Sequence, residues 1–148
     1  MSRSFLGLTA VLAMVSVGCA SSVSTTDVEA LSVGAPTGSW SLTAFDLTGG
    51  QTVLVPSPER YLLELGGDGK AHVRADCNVC NGEYRSSGTS LEMGILACTR
   101  AACPPGSLDS DYLRALDSAL AFESTSEGLS ITYGDGMLRF EPFSDGLR

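Results

Sequence analysis

Cys77, Cys80, Cys98 and Cys103 form a Cys-x2-Cys pair and a Cys-x4-Cys pair with 17 residues between them. Thiols at such spacings do three kinds of chemistry: they hold a metal, exchange electrons as a dithiol, or cross-link the chain. The spacing approaches a zinc ribbon, but the second pair is spread over four residues where two are usual. A redox Cys-x2-Cys takes its low thiol pKa from a helix N-terminus, whereas Asp76-Cys77-Asn78-Val79-Cys80 follows a strand pattern and precedes Gly82. Cross-linking is the expected use if the chain meets an oxidising compartment, with no metal bound. Spacing does not fix the connectivity.

The fifth cysteine supplies the compartment. Arg3 is followed by thirteen uncharged residues, Phe5 to Val17, and then by Gly18-Cys19. This is the charged, apolar and small-residue order of a secretory signal, and the run falls short of the roughly 20 residues of a membrane-spanning helix. Val15-Ser16-Val17-Gly18-Cys19 resembles a bacterial lipobox, in which the thiol is diacylated and the preceding peptide bond cut. Ser16 stands where a Leu is usual. Residues 1–18 are thus expected to be a lipoprotein signal peptide and Cys19 the lipidation site. The membrane is then a partner through the N-terminal lipid, and the location is the cell envelope. Ala20 resembles the outer-membrane sorting choice, if the organism has such a membrane.

Other catalytic resources are sparse. His72 is the sole histidine, and it alternates out of phase with the inward-facing Ala71 and Val73, so it reads as a solvated strand residue. A hydrolase or metalloprotein built on His72 is an alternative; no catalytic residue is assigned. Asp109 and Asp111 could form an acid/base pair or a calcium site, but a helix start explains them through its dipole. Asp68 and Asp135 sit in Gly-rich turns. Trp40 could stack on a ligand, although a lone Trp in an alternating strand is usually a core anchor. No phosphate loop, HExxH motif or dinucleotide fingerprint occurs, so no cofactor is expected.

Charge excludes another class. The chain carries 9 Lys and Arg against 17 Asp and Glu, a net charge of −8, and Lys70 is its only lysine. Nucleic-acid binding needs clustered basic residues, so it is not expected.

The elements that must position these groups are short. Residues 19–38, rich in Ser, Thr, Ala and Gly, read as a lipidated flexible tether, residues 39–143 as one domain, and 144–148 as a tail. Trp40, Leu42 and Ala44 share one strand face, and Gln51 to Val55 predicts another strand. Tyr61, Leu63 and Leu65 alternate into Gly66-Gly67-Asp68-Gly69, and Ala71, Val73 and Ala75 alternate out of it, which predicts a hairpin. Further strands are expected at 82–85 and 91–96. A second hairpin is expected at 128–133 and 137–140 around Gly134-Asp135-Gly136. The one helix is predicted over Ser110 to Phe122, capped by Asp109, with Leu108 and Leu113 as a staple. Its stripe of Leu113, Leu116 and Leu120, flanked by Tyr112 and Ala119, should cover a sheet. The expected fold is α+β: a curved antiparallel sheet or cracked β-barrel of short strands with one covering helix.

Taken in order, Trp40-Ser41-Leu42, Asp68-Gly69, Asp76-Cys77-Asn78, Gly82-Glu83-Tyr84, Cys98-Thr99-Arg100-Ala101-Ala102-Cys103-Pro104 and Tyr112-Leu113-Arg114-Ala115-Leu116 resemble the META domain family. That family includes HslJ-like heat-shock lipoproteins, and the resemblance spans Trp40 to about Phe140. It implies an envelope-associated β-rich domain with no enzymatic activity, linked to stress or antibiotic tolerance in some relatives. The family pattern carries a cysteine at Cys77 and at Cys103, which implies a bond between them. Cys80 and Cys98 are additions and would form a second, nested bridge. The pairing of Cys77 with Cys98 and Cys80 with Cys103 stays open on spacing. The expected function is non-catalytic binding or structural support in envelope stress, with an envelope protein or an apolar ligand as partner. Such domains also look like the lipid-binding pilotins of type III secretion. A pilotin-like carrier would shelter its ligand near Trp40, Tyr112, Leu116 and Ala119, in a cavity of about 300 Å³ or more.

Overall fold

Alternation of inward and outward side chains decides most of this fold, because a residue period of two buries one face of every strand. The computed structural model describes residues 34–144. Its elements are β1 (Gly38–Leu47), β2 (Thr52–Leu54), β3 (Tyr61–Leu65), β4 (Lys70–Ala75), β5 (Asn78–Ser87), β6 (Ser90–Met93), β7 (Ala97–Cys98), α1 (Asp109–Asp117), β8 (Ala119–Ser124), β9 (Leu129–Tyr133) and β10 (Gly136–Pro142). Cys19 and the predicted signal peptide lie outside the described residues, as do residues 145–148.

Both predicted hairpins form. Leu63 faces Val73 and Leu65 faces Ala71 across β3 and β4, and Leu138 faces Ile131 across β10 and β9. All six of these side chains are buried in one core. Truncating any of the leucines to Ala would cost about 2–5 kcal/mol, since close-packed neighbours refill a cavity only in part.

The sheet closes, where an open or cracked one was expected. Antiparallel pairing runs β1-β3-β4-β5-β6-β8-β9-β10 and returns to β1, giving an eight-stranded barrel, with β2 and β7 added outside the ring. A bulge in β1 makes closure possible. The register with β10 shifts between Leu42 and Ala44, leaving Thr43 as the extra residue, and its hydroxyl donates to the Arg139 carbonyl at 3.1 Å. Bulges bend a strand and increase its twist. The first half of β1 can therefore pair with β3 and the second half with β2, while the whole strand runs beside β10. The narrowest seam lies between β6 and β8, where Ser90 and Ala121 are the single registered pair.

The helix is shorter than its apolar spacing predicts. It ends at Asp117, Ser118 turns back onto the Arg114 carbonyl, and the chain continues as β8. Leu120, expected on the helix stripe, is 61% exposed on that strand, whereas Ala119 and Phe122 point into the barrel. The run Ala119-Leu120-Ala121-Phe122 fits both periods at this length, and the free edge of β9 selects the strand. Two further boundaries move. β5 starts at Asn78, not Gly82, and β6 stops at Met93, leaving Ile95 almost fully exposed. Ahead of β1, Pro36 is buried and its carbonyl accepts the Trp40 indole N–H at 3.2 Å, so packing begins inside the predicted tether.

Gly136 permits closure. Its φ is +156°, and a Cβ there would collide with the Asp46 carbonyl across the β1–β10 seam. Gly134, two residues away, faces open space. Gly136→Ala should therefore destabilise the oxidised protein by about 2–4 kcal/mol and Gly134→Ala by less than about 0.5 kcal/mol, as read from chemical denaturation.

Candidate functional site

The start of α1 needs support from elsewhere in the chain, since the first N–H groups of a helix have no partners within it. Leu108 occupies the N-cap position and makes no side-chain cap, so Asp109 is not the capping residue that the sequence suggests. Two other groups substitute. The Tyr61 hydroxyl on β3 accepts the Leu108 N–H at 3.0 Å, and Ser107 Oγ accepts the Asp109 N–H at 3.2 Å. Asp109 and Asp111 remain in the first turn, where their charge suits the helix dipole.

Asp109 instead holds Asn78. The two N–H bonds of the buried Asn78 amide are shared among three acceptors, Asp109 Oδ2 at 3.3 Å, the Ala101 carbonyl at 3.3 Å and, more weakly, Cys103 Sγ at 3.4 Å. Its oxygen accepts from the Ala101 N–H at 2.8 Å and from the Thr99 hydroxyl at 3.1 Å. Asn78 follows directly on the two-residue turn Asp76-Cys77 that joins β4 to β5. Asp76 takes the left-handed conformation there, φ 57°, and its buried carboxylate pairs with Arg60.

Two disulfides brace the same region. Cys77 is bonded to Cys103, and Cys80 to Cys98 inside that loop, which is the nested connectivity the family pattern implies. Cys80 and Cys98 are directly opposed in the β5–β7 register. Gly82 makes room beside this bridge, since a Cβ on it would come within 2.8 Å of both the Ile95 carbonyl and Leu96 Cδ2.

Beside the helix so clasped, a cleft of about 180 Å³ opens at the end of the barrel. Phe45, Leu47 and Val53 form one wall, and Leu108 and Ala115 another. Tyr133, Asp111, Arg114 and Asp135 stand around them. Arg114 donates to Asp111 at 3.0 Å, and the nearby Asp46 pairs with Arg139. The Thr52 hydroxyl donates to Asp46 at 2.6 Å; that bond, aided by Arg139, holds the carboxyl below the usual aspartate range. Burial pushes the Tyr133 phenol up, and Asp135, Asp111 and Asp46 push it in the same direction.

The residues first considered for ligand contact lie elsewhere. Trp40, Tyr112, Leu116 and Ala119 are packed into the barrel core and contribute nothing to the cleft wall. A pilotin-like cavity formed by them is replaced by packed side chains, with the Tyr112 ring edge-on to Tyr61 at 6.1 Å and tilted against Phe140 at 6.2 Å. The Tyr112 hydroxyl has no hydrogen-bond partner among the described residues, and burial raises its pKa well above the ordinary value. His72 is exposed on the outer face between Glu64 of β3 and Asn81 of β5, with Nδ1 2.5 Å from Asn81 Oδ1. Among the described residues, no three His, Cys, Asp or Glu side chains converge as a metal site. Sequence reading missed Asn78 as a hub and the cleft altogether. Asn78 sits in a motif it did single out, whereas the cleft joins residues from β1, β2, α1 and the last hairpin turn, which no local pattern connects.

A META domain family model matches residues 31–142. No curated protein matches the chain. A protein from Burkholderia xenovorans, solved by NMR, is 27% identical with a TM-score of 0.60, over 73% of this chain and 83% of that one. A DUF4847 family protein from Bacteroides vulgatus shares the fold at 12% identity and a TM-score of 0.53, over 72% of this chain and 92% of its own. A further NMR structure shares it at 20% identity and a TM-score of 0.54, over 72% of this chain and 90% of its own.

Reduction should loosen the helix mount. The outer bridge closes the loop from residue 77 to 103, which in the chain-entropy model restricts the unfolded state by about 3.5 kcal/mol, with less from the bridge nested inside it. Calorimetry should show a markedly lower Tm with reductant and an unchanged Tm with chelator. Non-reducing peptide mapping that returned Cys77 bound to Cys98 would contradict this arrangement.

Proposed function

Because the chain belongs to the META domain family, we propose that it is a lipid-anchored protein of the cell envelope whose domain acts by binding and not by catalysis. The observation that carries this reading is that the thiols and the sole histidine are kept apart from the cleft beside the helix. Cys77, Cys80, Cys98 and Cys103 are consumed in disulfides, and His72 stands on the outer sheet face against an amide. General acid–base and nucleophilic catalysis need such groups within hydrogen-bond reach of one another. Two disulfides also suit an exported protein. The resemblance to HslJ-like lipoproteins extends the proposal to envelope stress. The cleft of about 180 Å³ beside the helix is itself too small for a whole lipid.

Two variants test the proposal. Cys19→Ala should convert a membrane-fraction protein into uncleaved precursor or soluble product, since acyl chains and not a spent signal would hold it. Mass spectrometry of the mature N-terminus decides the point, and an unmodified terminus away from Cys19 would end the lipoprotein reading. His72→Ala should leave complementation of a deletion strain intact and change stability by less than about 0.5 kcal/mol, as expected of an exposed strand residue. Loss of complementation with an unaltered circular dichroism spectrum would return the protein to the enzymes.

A further inference from the structure

The cleft beside α1 combines apolar walls with a carboxylate that nothing in the described protein neutralises. Its volume of about 180 Å³ is that of a single ring or branched alkyl group, because an apolar cavity of about 150 Å³ already accommodates benzene. Of the carboxylates around it, Asp111 is matched by Arg114 and Asp46 by Arg139. Asp135 has no ion pair among the described residues. It is held at the mouth by the β9–β10 turn, where its carbonyl accepts the Thr48 N–H at 3.0 Å.

Tyr133 places a hydroxyl in the same cleft. The residue is only 8% exposed, yet it lines the cleft, and its hydroxyl makes no hydrogen bond to a described residue. The hydroxyl itself reaches the open space of the cleft, where a bound ligand would take the place of solvent as its partner. The net charge of −8 adds a field that draws cations toward the protein from a distance.

We propose that this cleft binds a small organic cation: an aromatic or branched alkyl group, lodged between Phe45 and Ala115, that carries an ammonium one or two carbons away. The ammonium meets Asp135 and donates to the Tyr133 hydroxyl. The proposal rests on the binding reading above and names its ligand class.

The full-length protein, oxidised and in detergent micelles, tests it by amide NMR with phenethylamine as the probe. Saturable shifts at Ala115, Tyr133 and Asp135 are expected with phenethylamine, and none that saturate with phenylacetate, which has the ring and the opposite charge. Ethylamine, which keeps the charge without the ring, should bind at least about tenfold more weakly, because the apolar burial is gone. Asp135→Asn should weaken phenethylamine about two- to fivefold, the range of one partly solvated ion pair. Ala115→Leu and Val53→Phe fill the cleft from opposite walls, and whichever retains the wild-type melting profile should abolish the shifts.

Equal binding of phenylacetate, or saturable shifts that survive the filled cleft, would overturn the proposal. So would an absence of saturable shifts in the unmodified protein, and that result would leave the non-catalytic reading standing. Conversion of the bound amine into a product would overturn the non-catalytic reading and leave the cation site in place.

Discussion

Five polar contacts converge on the buried amide of Asn78, and they join three pieces of chain at one side chain. On one side is the turn that starts β5; on the other are the 99–103 segment and the first turn of α1. A buried amide left without such partners would cost about 1–3 kcal/mol for each unsatisfied group, so the network favours one relative placement of strand, loop and helix over its neighbours. The disulfides act differently. They limit how far the unfolded chain can spread, whereas Asn78 selects the folded arrangement.

The cleft depends on that placement. Its apolar wall comes from β1 of the barrel and from β2 paired beside it, but Leu108, Asp111, Arg114 and Ala115 come with the helix. A shift of α1 by even one residue along its axis, about 1.5 Å, would change which side chains face Phe45 and Tyr133. The Tyr61 hydroxyl, which accepts the Leu108 N–H, fixes the same position from β3. Two strands and two disulfides thus serve one short helix. Its role in the core is to plug the barrel end with Tyr112 and Leu116.

The hairpins around Asp68-Gly69 and Asp135-Gly136 were legible in the sequence, because strict alternation and glycine turns are local signals. The helix was legible in position but not in extent: Leu116 and Leu120 are spaced for one helix face, and only the neighbouring edge of β9 shows that Leu120 belongs to a strand. The start of β5 was hidden because its turn uses Asp76 in a left-handed conformation where a glycine would have announced it. Barrel closure was hidden for a related reason. It rests on a bulge at Thr43, a residue type equally at home in an unbulged strand, and on pairing between segments whose contact pattern is wholly non-local. The cysteines declared a cross-linked region, while connectivity came from the resemblance and from the structure, not from spacing.

Closure by β1 and β10 also orders events in time. The Thr43 hydroxyl and the Arg139 carbonyl that it meets are 96 residues apart, so the strand synthesised first waits for the strand synthesised last. Loop-closure entropy must be met before that long-range pairing returns anything. Until then β1 presents an unsatisfied edge on a segment containing Trp40, Leu42 and Phe45, which is the kind of strand that pairs with the wrong chain. A late-closing barrel of this sort gives a chaperone a defined target, the bulged first strand, for as long as the last hairpin has yet to arrive.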